Sequence, residues 1–368
     1  MKDFNYWEKK HNSDQLEEFS TDEEGVLWLK TKSIVRRELI YEFILENSLD
    51  IKESKLNNQF RELYSLLVKN IQESNIMLNA YIRRKSNEIL AKLDTDKLVS
   101  ELYKLKTFNW GGDYQNSLDK YLVNRYVKKI SSYDNLVSKL DTEINVAVQG
   151  YVLNSWYNHW SSILIESIFK SHNTTLPTIG QIKHVDFFIN DIPFDLKVTY
   201  LPSEYIKNQR KHLGFPVELT YLKKNAKEMS ISFDNEANPS NIYYEITEKM
   251  KDKNSRQSNV VLNTVREQTM QILNEAREKP LKLAKWLYEN QGEMRFGSEN
   301  RLFLVLVDTN DFSDSWKLKR NIDLLKPMIE KYLDNFTNKD ISDLKVSFSY
   351  RGKPQLFTAL TDVIFVTK

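Results

Sequence analysis

All eight prolines of this 368-residue chain lie after position 150, and before Gly150 there are only three glycines, Gly25, Gly111 and Gly112. Proline removes a backbone donor and clashes with the preceding helical turn, and glycine costs backbone entropy, so a stretch this poor in both has few ways to interrupt a helix. The first 150 residues are therefore predicted to form an all-α domain. Apolar spacing agrees, because Leu56, Phe60, Leu63, Leu67 and Ile71 recur at steps of three and four, while Ile34, Val35, Leu39, Ile40, Phe43 and Ile44 recur as doublets. Asn109–Asp113, reading NWGGD, is the one clear turn expected inside this half. Its charge is uneven: residues 1–50 carry 7 basic and 12 acidic side chains, residues 51–150 carry 16 and 12. The acidic opening reads as a solvated or partner-facing surface.

After Gly150 the texture changes. Leu153, Trp156, Tyr157, Trp160, Ile163, Leu164 and Ile168 mark a helix, followed by two Val/Ile/Phe-rich runs, Lys183–Ile189 and Ile192–Thr199, on either side of Asn190 and Asp191. Short β-prone runs around such a dipeptide predict a hairpin. Val260–Asn274 reads as a helix, Arg301–Asp308 as a buried strand, Trp316–Leu333 as a helix broken near Pro327, and Lys345–Tyr350 and Asp362–Val366 as closing strands. Interleaved helices and strands predict an α/β domain with a mixed sheet over residues 151–368.

Composition removes several classes. There is no cysteine, hence no disulfide framework, Cys-ligated zinc, iron–sulfur cluster or thiol nucleophile. No run of 18 apolar residues occurs, so no membrane partner is expected, and Met1–Lys10 lacks the apolar segment of a secretory signal. The expected location is cytoplasmic. The formal net charge of +2 gives no sign of a polyanionic partner by itself.

The hairpin carries the chemistry. With Asn190 and Asp191 as a two-residue turn, Ile189 opposes Ile192, Phe187 opposes Phe194, and Asp186 opposes Asp195. Alternation sends Phe194, Leu196 and Val198 into a core and puts Asp195 and Lys197 on the other face. Opposed carboxylates, with Cβ atoms ~5 Å apart, repel unless a cation compensates them. Oxygen ligands without cysteine or clustered histidine favour Mg²⁺. An ammonium beside such a centre can hold a phosphate oxygen or an activated water, as phosphodiester hydrolysis requires. Glu166, on the preceding helix, rides the edge of the apolar stripe within reach of the hairpin.

Glu166 on a helix, Val185-Asp186, eight intervening residues and Asp195-Leu196-Lys197 together resemble the PD-(D/E)xK nuclease superfamily, which includes many type II restriction endonucleases. The resemblance spans about 30 residues. It implies a restriction-endonuclease-like mixed sheet flanked by helices. It also implies that Asp186 and Asp195 bind Mg²⁺ with the Leu196 carbonyl, that Lys197 orients the nucleophilic water, and that Glu166 supports the metal. Mn²⁺ would substitute. Valine stands where the family's nominal proline precedes the first aspartate, and no Gln-x-x-x-Tyr pattern follows Lys197, which sets the exonuclease branch aside. Asp-Leu-Lys recurs at Asp343–Lys345, so the triplet has meaning only within the hairpin.

The expected activity is thus a Mg²⁺-dependent endonuclease acting on double-stranded DNA, a sequence-specific type II enzyme working as a homodimer. The alternatives are an antiphage or repair nuclease of looser specificity and a non-catalytic DNA-binding protein that keeps the fold. Residues 1–150 would serve packing, dimerisation or DNA recognition. Lys207, Arg210, Lys211, Lys223, Lys224 and Arg256 are candidate DNA contacts, with Arg266 and Arg295 as further arginines suited to bidentate base contact. His159 and His184 lie near the site in sequence as structural residues or phosphate contacts, Asp308 ends a strand at its carboxyl end, as a site residue or as a cap of the following turn, and Trp156, Tyr157 and Trp160 have the spacing of a core stripe, with base stacking as the alternative.

Overall fold

The computed structural model describes residues 2–13, 15–108, 117–237, 239–290, 299–336, 338–350 and 354–368. The expected turn at Asn109–Asp113 and Arg295 lie outside them. Among the described residues eight α-helices precede position 145: α1 (Phe4–Asn12), α2 (Glu23–Ser33), α3 (Arg37–Glu46), α4 (Leu56–Leu67), α5 (Ile71–Leu90), α6 (Thr95–Leu102), α7 (Leu118–Leu122) and α8 (Tyr133–Lys139). Side-chain caps start several of them. Asp3 accepts from the Tyr6 N–H, Asp22 from Glu24 and Gly25, Asn70 from Glu73 and Asp94 from Lys97, each satisfying donors that a helix start leaves unpaired. Gly25 is needed for packing, since a Cβ there would lie 2.8 Å from the Trp7 ring.

Helix α9 (Asn145–Ser171) is longer than expected and runs straight through Gly150. Next come β1 (Thr175–Ile182), β2 (Val185–Ile189) and β3 (Ile192–Tyr200). Helices α10 (Ser203–His212), α11 (Glu218–Glu228), α12 (Pro239–Lys253), α13 (Arg256–Glu278) and α14 (Pro280–Asn290) follow. The chain closes with β4 (Arg301–Val307), α15 (Ile322–Phe336), β5 (Lys345–Ser349) and β6 (Leu356–Thr367). The fold is mixed α/β. Six strands form one sheet in the order β1-β2-β3-β4-β6-β5, antiparallel from β1 to β3 and from β6 to β5, parallel from β3 through β4 to β6. Among the described residues no helix is long and apolar enough to cross a membrane.

Three departures from the sequence reading have physical causes. Strand β1 contains Pro177 and Gly180, which argue against a strand; it lies at the sheet edge, where a missing donor is tolerated. Lys183 and His184 do not begin β2 but form the β1–β2 turn, with His184 at φ 65°. Pro327 does not break its helix: a 3₁₀ stretch, Phe312–Arg320, ends before Asn321, and α15 carries Pro327 within it on its exposed side.

Both sheet faces are covered, as parallel strands require. Leu302, Leu304 and Leu306 of β4 pack with Phe187, Phe194 and Leu196 under α9 and α15. Phe303, Val305 and Val307 pack with Tyr288 and Phe348 under α13 and α14. The first helices share a third cluster with Leu176, Ile179, Val185 and Phe188 of β1 and β2. There the backbone of α2 comes so close to β1 that a Cβ on Gly180 would sit 2.3 Å from the Ser33 carbonyl oxygen.

Phe194 is fully buried and meets Phe336 edge-on, ring centroids 5.8 Å apart. Phe194→Ala is expected to cost ~3–5 kcal/mol in denaturant unfolding. An unchanged midpoint would overturn this placement of the hairpin.

Candidate active site

The hairpin has the register its turn dictates. Ile189 pairs with Ile192, Phe188 with Pro193 and Phe187 with Phe194, and Asn190 and Asp191 take φ values of 50° and 64°, the left-handed pair of a type I′ turn. Beyond Phe187 and Phe194 the ladder stops. Leu196 N–H, which a continued ladder would direct to the backbone of β2, instead donates to Oδ2 of Asp186 at 2.8 Å. Asp195 N–H donates in the opposite direction, to the carbonyl of Asn300 just before β4, at 2.9 Å. Asp186 and Asp195 are therefore not opposed partners in a regular ladder. The Asp186 carboxylate acts as a wedge where β3 leaves β2 for β4.

Asp195 was expected on an open face; it is buried. In the parallel register it pairs with Arg301, and Lys197 pairs with Phe303. Lys197 Nζ reaches Oδ1 of Asp195 at 2.8 Å, and Arg301 Nε stands 3.8 Å from Oδ2. Arg301 also binds buried Glu299 through Nε at 3.1 Å and a terminal nitrogen at 2.6 Å, while its guanidinium lies over the Tyr288 ring. Burial pushes the Glu299 carboxyl above its ordinary range, with Arg301 opposing. Two carboxylates and two cations thus form one network, buried except at Lys197. Arg301 and Glu299 escaped the sequence reading because only the β3–β4 register brings them to Asp195.

Asp186 is pushed up to about 6, first by burial, then by the charge of Asp195 and to a smaller extent by that of Glu166; the Leu196 N–H opposes the rise. Glu166 lies on α9 and accepts from Lys170 Nζ at 2.9 Å. It lines, with Asp186, a cleft of about 510 Å³ whose wall also includes Arg36, Lys92 and Lys170. The structure thus brings Asp186, Asp195 and Lys197 together and sets Glu166 on the same cleft as Asp186. Among the described residues no three His, Asp or Glu side chains are gathered as a ready metal-ligand group. The donor chemistry nevertheless fits a hard divalent cation: Asp186 and Asp195 offer oxygens only, with Oδ2 of Asp195 in an ion pair with Lys197 Nζ at 2.7 Å.

The remaining candidates separate by exposure. Lys207, Lys211, Lys224 and Arg256 are on the surface, and Lys223 lies over the Phe233 ring. Arg210 does not face solvent. It donates through Nε to the Pro216 carbonyl at 3.0 Å and through a terminal nitrogen to Gln268 at 2.5 Å, tying α10 to α13, while its buried Nη1 makes no hydrogen bond among the described residues. Arg266 donates to the Thr309 carbonyl. Asp308 caps its turn by accepting from Asn310 N–H at 3.0 Å. Tyr157 is core, with Trp156 and Trp160 packed against its cluster. His159 is exposed, and His184 lies close enough to Glu299 for its charge to act there.

No protein-family model matches the chain, and comparison with curated proteins and with solved structures found no match.

Because Asp186 ionises with greater difficulty in the fold than in an unfolded chain, its own contribution to stability falls as pH rises from about 4 to about 6 and stays at the lower level above. Asp186→Asn keeps an oxygen for Leu196 N–H and removes the charge. It should melt a few degrees higher than the parent at pH 8 in EDTA and show no such gain near pH 4. A melting temperature at pH 8 no higher than the parent's would contradict the charge repulsion described here.

Proposed function

We propose that this chain is a Mg²⁺-dependent DNA endonuclease of the PD-(D/E)xK kind that hydrolyses phosphodiester bonds in double-stranded DNA, with Mn²⁺ able to substitute. The observation that carries the reading is the local geometry at the hairpin's open end. Asp186 is hydrogen-bonded to the backbone of the very Asp195-Leu196-Lys197 segment that the resemblance couples to it, and Lys197 Nζ lies 2.8 Å from Asp195. A mixed sheet with helices on both faces is compatible with the restriction-endonuclease-like architecture that the resemblance implies.

Asp186, Asp195 and the Leu196 carbonyl would hold the ion, which supplies charge neutralisation at the scissile phosphate and lowers the pKa of water. Glu166, on the same cleft as Asp186, would support the same centre. Lys197 carries its ammonium beside the carboxylate pair, where it can orient a water for in-line attack or steady the developing phosphorane charge. Arg301 holds Asp195 from the buried side and so fixes the carboxylate's orientation. Arg36, Lys92 and Lys170 put positive charge along the cleft, as a phosphodiester backbone requires. A type II restriction enzyme is the form of this activity that the sequence favours. An antiphage or repair nuclease would use the same centre.

The test is cleavage of supercoiled plasmid with Mg²⁺ against EDTA. Asp195→Asn and Lys197→Ala should each lose ~10²–10⁴ in rate, through lost metal charge and lost ammonium respectively. Full activity in either variant would refute the site. Mg²⁺-independent DNA binding by the parent, with no cleavage of any substrate, would turn the reading to a non-catalytic DNA-binding protein.

A further inference from the structure

Arg301 stands between two carboxylates and is held by the one that is not a proposed metal ligand. Its Nε and a terminal nitrogen both donate to the same oxygen of Glu299, at 3.1 and 2.6 Å, whereas Nε is 3.8 Å from Oδ2 of Asp195, beyond hydrogen-bond reach. Arginine keeps its charge at every pH a fold survives, and Arg301 and Glu299 are both buried, at 3% and 1% exposure. The guanidinium must therefore be met by an anion inside the protein. Only Asn300 separates the two residues, and Tyr288 on α14 steadies the pair: its hydroxyl donates to the Glu299 carbonyl at 3.0 Å, and its ring centroid lies 5.0 Å from the guanidinium. Among the described residues Oε2 of Glu299 makes no hydrogen bond, so its carboxylate bonds to Arg301 through Oε1 alone.

The charges at the junction are three carboxylates, Asp186, Asp195 and Glu299, against two cations, Lys197 and Arg301. One negative charge is left over. Without Glu299 the sum is zero, and the affinity of an oxygen site for a divalent cation depends on the charge its ligands carry. Position acts in the same direction. Lys197 Nζ already lies 2.8 and 2.7 Å from the two Asp195 oxygens. A guanidinium released from Glu299 could close on Oδ2 with its rigid fork and compete with a metal ion for that oxygen.

We propose that Glu299 is a positioning residue for the metal centre: by drawing Arg301 to itself, it keeps the Asp195 carboxylate available to a divalent cation. Arg301 then orients Asp195 without neutralising it. The role assigned to Glu299 rests on the nuclease reading, which makes Asp195 a ligand.

The probe is Mn²⁺ added to the full-length chain without DNA at pH 8, followed by titration calorimetry and electron paramagnetic resonance. Asp195→Asn should abolish the binding seen in the parent. Glu299→Gln keeps an oxygen for Arg301 and removes the charge, so it should bind Mn²⁺ ~10–100-fold more weakly and need correspondingly more Mg²⁺ for half-maximal cleavage. Glu299→Gln with Arg301→Gln has the parent's charge sum and no unpaired buried charge, and its Mn²⁺ affinity should return to that of the parent. If Glu299→Gln does not fold, Arg301→Gln decides: with the competing cation gone it should bind Mn²⁺ more tightly than the parent, and binding no tighter would overturn the proposal. Parent-like affinity in folded Glu299→Gln, or weak binding that the double variant leaves weak, would overturn it as well. A parent that binds no Mn²⁺, or binding that survives Asp195→Asn, refutes the metal centre itself; Asp195-dependent binding that Glu299→Gln leaves unchanged refutes only the role of Glu299.

Discussion

The change of partner by β3 at Asp195 is the constraint on which the rest of the sheet depends. For its first residues β3 is the second strand of a tight hairpin, and from Asp195 onward it is the parallel neighbour of β4. A strand can make that transition only if the backbone groups at the junction find partners, since an unpaired buried donor costs about as much as a lost hydrogen bond. Asp186 accepts from Leu196 N–H, and the Asn300 carbonyl accepts from Asp195 N–H. The Asn300 side chain completes the junction: its amide donates to the Pro193 carbonyl at 2.9 Å and to Ser20 at 2.6 Å, and its oxygen accepts from Leu360 N–H at 2.8 Å. One buried amide thus links β3, the approach to β4, β6 and the N-terminal helical layer.

The junction concentrates charge for the same reason. A carboxylate serving as backbone acceptor must stay near the sheet, and Asp186 therefore sits beside Asp195 with its own ionisation opposed by burial and by its neighbour. Asp195 is balanced by Lys197 on its accessible side and Arg301 on its buried side, with Arg301 shared by Glu299. Removing one member of such a network leaves an uncompensated buried charge, which is more costly than replacing the whole group with apolar residues. Structural integrity and the proposed chemistry thus draw on the same side chains.

The N-terminal helices hold the hairpin at its other end. Lys30 on α2 is completely buried, and its ammonium spans Asn75 on α5 at 2.8 Å and Asp191 in the hairpin turn at 2.7 Å. Burial lowers its pKa, with the Asp191 charge acting against that shift. The turn residue that sets the register is therefore also an anchor, and the helical layer meets β1 and β2 through a shared apolar cluster.

The sequence by itself determined the helical first half, the hairpin with its turn and register, and the buried character of β4. Each follows from local rules: absent breakers, period-two alternation around Asn190-Asp191, and a continuous apolar run. It also brought Asp186, Asp195 and Lys197 to one junction, because two residues of turn fix which residues of two strands lie near each other. Tertiary structure alone decided that Asp195 is buried, that Arg301, Glu299 and Asn300 surround it, and that Arg210 turns inward. Those contacts join residues about a hundred or more positions apart, or in the case of Arg210 separate helices, through the parallel β3–β4 register and the packing of helices over both faces. No spacing within either partner encodes where two distant segments will pair; the sheet order sets that once the whole chain is packed.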